Sequence, residues 1–178
     1  MKLFLVLILL FSCSARAEKA DRDKPTELEA NRASADDVRR LSIFEGSVIL
    51  TKGTMRVLAD RIVVRQDAEG FQYAEAFGKP VRFRQRQDPR PTEKEGVWME
   101  GEALRVEIDE KASTVKLFEN ARVDRGGDQV AGNYILVDQT SQFFSVSSGK
   151  EGREGKDGKD GERVRVTIQP KPPANAKK

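Results

Sequence analysis

The chain has no histidine and one cysteine in 178 residues. Without imidazole there is no histidine general base and no Ser-His-Asp or Cys-His nucleophile pair. Nearly every zinc or non-haem iron site built on imidazole is excluded as well. A single thiol, Cys13, makes neither an internal disulfide nor a thiolate cluster. No G-x-x-x-x-G-K-[ST] stretch is present to cradle nucleotide phosphates. Aromatics are sparse, with one Trp and two Tyr, and a net charge of +3 gives no reason to expect a nucleic-acid partner. No metal and no cofactor is expected. Carboxylate chemistry alone stays open, and Glu45 with Glu119 is the best pair on offer for a glycan hydrolase.

What is present begins with an export signal. Met1-Lys2 is a basic start, Leu3 to Phe11 an apolar run too short to span a bilayer, and Ala15-Arg16-Ala17 a small-x-small cleavage pattern. Residues 1–17 therefore read as a signal peptide cut after Ala17, which marks the chain for secretion. A competing lipidation box, Leu10-Phe11-Ser12-Cys13, is weakened by the bulky Phe11. Cleavage removes Lys2, Cys13 and Arg16, leaving a nearly neutral chain.

From about Pro25 to Ile168 the sequence alternates with period two. Leu41-x-Ile43, Val48-x-Leu50, Met55-x-Val57, Val81-x-Phe83, Leu104-x-Val106-x-Ile108, Val115-x-Leu117 and Val164-x-Val166-x-Ile168 each predict a strand. Turns such as Lys52-Gly53-Thr54 and Arg125-Gly126-Gly127-Asp128 separate them. A hairpin bend is expected within Ala33 to Arg40, and a long loop around Pro89-Arg90-Pro91. Such a series of short strands means an all-β barrel, sandwich or roll.

The chain also repeats. Leu41–Ile49 lines up with Val115–Val123 through the Phe-Glu pairs 44–45 and 118–119. After a one-residue gap, Val57–Val64 lines up with Val130–Val137, and Phe77–Phe83 followed by Met99–Val106 is a looser middle copy. The repeat predicts stacked antiparallel hairpins with two terminal strand edges that must be covered, blunted or used.

Pro25-x-Glu27-x-Glu29-Ala30-Asn31, then Phe44-Glu45-Gly46-Ser47-Val48, Thr51-Lys52-Gly53-Thr54, Ala59-Asp60-Arg61-Ile62 and Phe77-Gly78-Lys79-Pro80-Val81-Arg82-Phe83-Arg84-Gln85 together resemble the OstA-like family. The resemblance spans 25–170. It implies a twisted, open β-jellyroll whose apolar interior takes the acyl chains of lipid A, the membrane anchor of lipopolysaccharide. It also implies a non-enzymatic carrier that bridges an LptC-like inner-membrane protein and an LptD-like outer-membrane protein, with head-to-tail homo-oligomers. The family's lipid-lining positions fall on Thr26, Leu28, Phe83, Val106 and Ile108, of which all but Thr26 are apolar members of alternating strands. Leu28 at one end, and Val164, Val166 and Ile168 at the other, mark the partner-binding edge strands. Two other readings compete: the periplasmic domain of an LptC-like partner, against which the cleavable signal argues, and a structural envelope module with a closed, lipid-free core.

Other residues invite functional readings. Arg82, Arg84 and Arg86 share one strand face and could pair with phosphates, but they point away from a groove lined by Phe83, which favours a solvated outer face. Asp60 and Asn133 occupy equivalent repeat positions and read as corner residues. Trp98 is expected partly buried at a strand start. Gly recurs at every third position from Gly149 to Gly161, so 149–163 reads as a charge-balanced flexible loop within the last hairpin, and 171–178 as a disordered basic tail.

Overall fold

The computed structural model describes residues 21, 24–70, 72–87, 89, 95–141, 143–149 and 163–170. The expected signal peptide, nearly all of the Gly-rich segment and the basic tail lie outside the described residues. No helix among the described residues is long and apolar enough to cross a membrane.

The chain forms ten strands: β1 (Thr26–Glu29), β2 (Arg32–Asp36), β3 (Leu41–Lys52), β4 (Met55–Gln66), β5 (Gln72–Arg86), β6 (Trp98–Asp109), β7 (Thr114–Arg125), β8 (Asp128–Asp138), β9 (Phe143–Ser147) and β10 (Arg165–Thr167). All join one antiparallel sheet in which β3 to β8 follow one another as a meander. Its two ends are built alike. β1 and β2 lie in succession along β3, and β9 and β10 lie in succession along β8. β9 and β10 thus pair with β8 and not with each other, so the expected last hairpin is absent. The expected bend near residue 33 is confined to the turn 37–40, and Arg32–Asp36 are already strand.

Each long pairing slips at mid-strand: between Glu45 and Val48, Leu58 and Arg61, Phe77 and Val81, Glu102 and Arg105, and Phe118 and Ala121. A bulge bends its strand and sharpens the local twist. Because the bulges line up across the sheet, they crease it into two leaves that face each other. The first leaf holds the parts of β3 to β8 near the hairpins 52–55, 86–98 and 125–128, together with β1 and β10. The second holds the other halves with β2 and β9.

Alternation then decides what lies inside. Val48, Leu50, Val57, Phe83, Met99 and Val123 of the first leaf, and Ile62, Ala76, Val106, Leu117 and Ile135 of the second, form one apolar cluster. Burying a side chain of this size is worth about 1.5–3 kcal/mol. Val57, Ile62, Val106, Leu117 and Ile135 are fully buried.

The repeat is real but shifted. Val57–Val64 and Val130–Val137 match in facing, residue for residue. The earlier half does not. Phe44 faces inward in the row of Ile62 and Leu117, whereas Phe118 faces outward, where the Arg105 guanidinium lies 3.7 Å from its ring centre. The positive-φ corner falls at Gly46-Ser47 in β3 and at Glu119-Asn120 in β7, so the Phe-Glu pairs straddle it differently. Aligned on the corner, the one-residue gap disappears.

Candidate functional site

The space between the leaves is the candidate site. Phe83 faces inward between Val57 and Gly101, and a Cβ on Gly101 would lie 2.3 Å from its ring. The missing side chain is what leaves room for the ring over Gly101. Val106 sits between Ala76 and Leu117 with none of its surface exposed, and Ile108 packs against the same cluster nearer the strand end. Leu28 pairs with Leu50 and is half-buried, while Thr26 pairs with Lys52 beyond the apolar cluster. Leu28, Phe83, Val106 and Ile108 therefore share one cluster drawn from both leaves, and Thr26 stands at its margin.

At the C-terminal end this interior opens. A cavity of about 210 Å³ is lined by Met99, Val123, Val137, Phe144, Val166 and Ile168, among others. Val166 and Ile168, expected only as edge residues, also line this mouth, at 57% and 74% exposure. Val164 just precedes β10 and is exposed. Both terminal segments are hydrogen-bonded on one side within the chain, β1 to β3 and β10 to β8, and each stands at an end of the sheet order.

The hairpin ends of the leaves meet along one side, where polar residues occupy inward positions. Lys52 ends β3 in the first leaf and reaches Glu110, which follows β6 in the second. Gln139, following β8, donates from Nε2 to Oε1 of Gln85 at 3.0 Å. Gln87 accepts from Arg125 Nε at 2.7 Å and donates to Met99 Sδ at 3.1 Å. Lys52 and Gln85 read in sequence only as turn and motif residues, yet the signal was there: they are the polar members that end Val48-x-Leu50-x-Lys52 and Val81-x-Phe83-x-Gln85.

The outer face is ionic and mostly self-satisfied. Arg82 pairs with Glu102 at 3.7 Å, Arg84 stacks 5.3 Å from the centre of Trp98, and Arg86 pairs with Glu95 at 3.8 Å. A shallow depression of about 590 Å³ there is lined by Arg56, Arg82, Arg84 and Arg122, but also by Glu100, Glu102 and Asp124. Acids offset the arginines, which supports the solvated reading. Trp98 opens β6 but on this outer face, 45% exposed. Asp60 and Asn133 sit at the creases of β4 and β8, as corner residues should. Glu45 pairs with Arg61 at 3.4 Å on β3's outer face, and Glu119 sits exposed at the β7 crease four strands away, so the two carboxylates do not share a cleft. Among the described residues no cluster of three acidic, cysteine or histidine side chains could hold a metal. Burial raises the pKa of both Tyr73 and Tyr134. For Tyr73 a hydrogen bond to Glu107 raises it further, and for Tyr134 the Glu107 charge does.

Fold and interior together define an unclosed β-jellyroll whose creased sheet encloses an apolar space. The chain belongs to the family described as LptA/(LptD N-terminal domain) LPS transport protein, which matches residues 27–143. It is 31% identical over 143 residues to the lipopolysaccharide export system protein LptA of Escherichia coli K12, covering 78% of this chain and 74% of that one. It is 26% identical over 163 residues to lipopolysaccharide export system protein LptH of Pseudomonas aeruginosa, covering 91% and 89%. The crystal structure of P. aeruginosa LptH, titled as the LptA-homologous periplasmic component of a lipopolysaccharide transport device, superposes with a TM-score of 0.72 at 22% identity. That match covers 84% of this chain and 99% of the other, and it shows the fold.

Proposed function

We propose that this chain is a periplasmic, non-enzymatic carrier and bridge for lipopolysaccharide. The acyl chains of lipid A lie between the leaves, against Leu28, Phe83, Val106 and Ile108, with Thr26 at the margin. The terminal segments extend the sheet into neighbours: an LptC-like protein at the inner membrane, an LptD-like protein at the outer membrane, and further copies of this chain between them. The observation that carries the reading is the continuous apolar inner face, running from Leu28 to Val166, of a sheet that never closes on itself. Each acyl CH₂ moved from water into such a space is worth roughly 0.8 kcal/mol, so part of one chain suffices for several kcal/mol. A lipid sliding along the interior stays in apolar surroundings throughout.

Photo-crosslinking tests this directly. A photoreactive residue at Phe83, Val106 or Ile108 is expected to capture lipopolysaccharide in cells. One at Arg84, next to Phe83 but on the outer face, is not. Equal capture at Arg84 and Phe83 would sink the assignment of the interior as the lipid site.

A further inference from the structure

In the middle of the roll the interior is full. Val57, Val81, Val106, Leu117 and Ile135 have no exposed surface, so acyl chains there must displace one leaf from the other. The leaves are joined in two very different ways. Along the crease they are one continuous backbone, six strands wide, that cannot part without breaking ladders. Along the opposite side, where hairpin ends meet, no backbone pairing joins the two lips among the described residues. Side-chain hydrogen bonds cross there instead, Lys52 with Glu110 and Gln85 with Gln139.

The two contacts share one geometry. Lys52 on β3 meets the end of β6, and Gln85 on β5 meets the end of β8, so each crosses with the same stagger of three strands. The next contact in this series would start from β7 and find no strand left to meet. That is where the roll stands open, at the cavity beside Met99, Val123 and Phe144. The open mouth is thus the unlatched continuation of the same seam.

We propose that this seam is a lateral slot through which an acylated glycolipid passes into the interior, and that Lys52–Glu110 and Gln85–Gln139 are the latches that hold it shut. Parting the lips breaks only these side-chain hydrogen bonds, with Lys52 and Glu110 15% and 27% exposed and Gln85 buried, and no backbone ladder among the described residues, whereas the creased ladder acts as the hinge. The slot lets acyl chains move sideways into the interior while a bulky sugar head stays in solvent. This rests on the carrier reading above.

The test is a reversible staple. In a full-length Cys13→Ser background, Gln85→Cys with Gln139→Cys is bridged by a short, reducible bis-methanethiosulfonate linker. Uptake of hexa-acylated lipopolysaccharide from micelles is followed by co-elution of lipid phosphate. The stapled protein is expected to load at least about tenfold more slowly than the same protein after reduction, with identical far-UV dichroism. As a second arm, Glu110→Lys places like charges across the slot and is expected to speed loading about fivefold. If stapled and reduced proteins load alike, or Glu110→Lys loads no faster, the slot is overturned while the carrier reading stands. If wild type takes up no lipopolysaccharide at all, the carrier reading itself falls, and the slot with it.

Discussion

Two tyrosines report on the outer face, away from the apolar interior. Tyr73 and Tyr134 are the only tyrosines in the chain, both half-buried on the outer face of the second leaf beside Glu107. Burial and the neighbouring carboxylate disfavour both phenolates, so each pKa lies above its ordinary value of 10.0. A raised pKa means the folded state favours the neutral phenol. The contribution to stability is complete below pH 10 and is lost as pH rises through the elevated values. Alkaline titration of the native protein is therefore expected to show no half-ionised tyrosine at pH 10, with phenolate absorbance appearing in denaturant at that pH. A tyrosine that titrates normally in the native protein would remove Glu107 and burial as the cause. Neither effect was legible beforehand. Tyr73 and Tyr134 are distant in sequence, and only the successive pairing of β5, β6, β7 and β8 brings them to one acid.

Among elements, the crease decides how much the sequence could tell. Most inward sets were legible, because alternation needs only local spacing: Leu28, Phe83, Val106 and Ile108 all face inward as period two requires, whereas Leu41 and Ile43 lie on the face opposite Phe44 and Arg32–Asp36 forms a strand where a bend was expected. The crease itself was not, because a bulge leaves no fixed residue pattern. Gly46-Ser47 makes it in β3 and Glu119-Asn120 in β7, all four at positive φ. Glu119 holds a φ of 64°, a region that disfavours a Cβ. Glu119→Gly is expected to stabilise the fold by about 0.5–1 kcal/mol in urea melts, whereas Lys116→Gly, on the regular part of the same strand, costs about as much. A loss at both positions would show that the β7 corner is not strained. The polar lips were legible in principle, since Lys52 and Gln85 interrupt apolar alternation at inward positions, but their partners at Glu110 and Gln139 lie more than fifty residues away.

For the whole molecule, the three-strand stagger makes the two ends unlike. One end shows the apolar mouth with Phe144, Val166 and Ile168; the other shows a polar hollow of about 290 Å³ with Asp36, Arg40, Ser42 and Gln72. Unlike ends favour heterologous contacts, which grow into open chains. On the proposed reading, β10 carries part of the C-terminal contact. Val166→Pro removes a backbone donor and fixes φ in a three-residue strand, which weakens either its pairing with β8 or its outer edge. One lost hydrogen bond of roughly 1 kcal/mol corresponds to about a fivefold rise in the concentration needed for a given mean mass. Light scattering over a concentration series measures it. A wild type that stays monomeric, or a Val166→Pro protein that grows equally well, would refute strand addition at this end.

The split termini have a consequence of their own. At each end two short strands stand on different leaves, β1 with β2 and β9 with β10, so the edge offered to a neighbour carries the fold's own bend. A straight strand can dock on one segment but overshoots the other, as a ruler does when laid into the corner of a box. Only an incoming strand with its own kink at the matching residue follows both. On the proposed reading, the edge acts as a shape filter that admits proteins built on the same crease and turns away the flat, extended segments that feed cross-β aggregation.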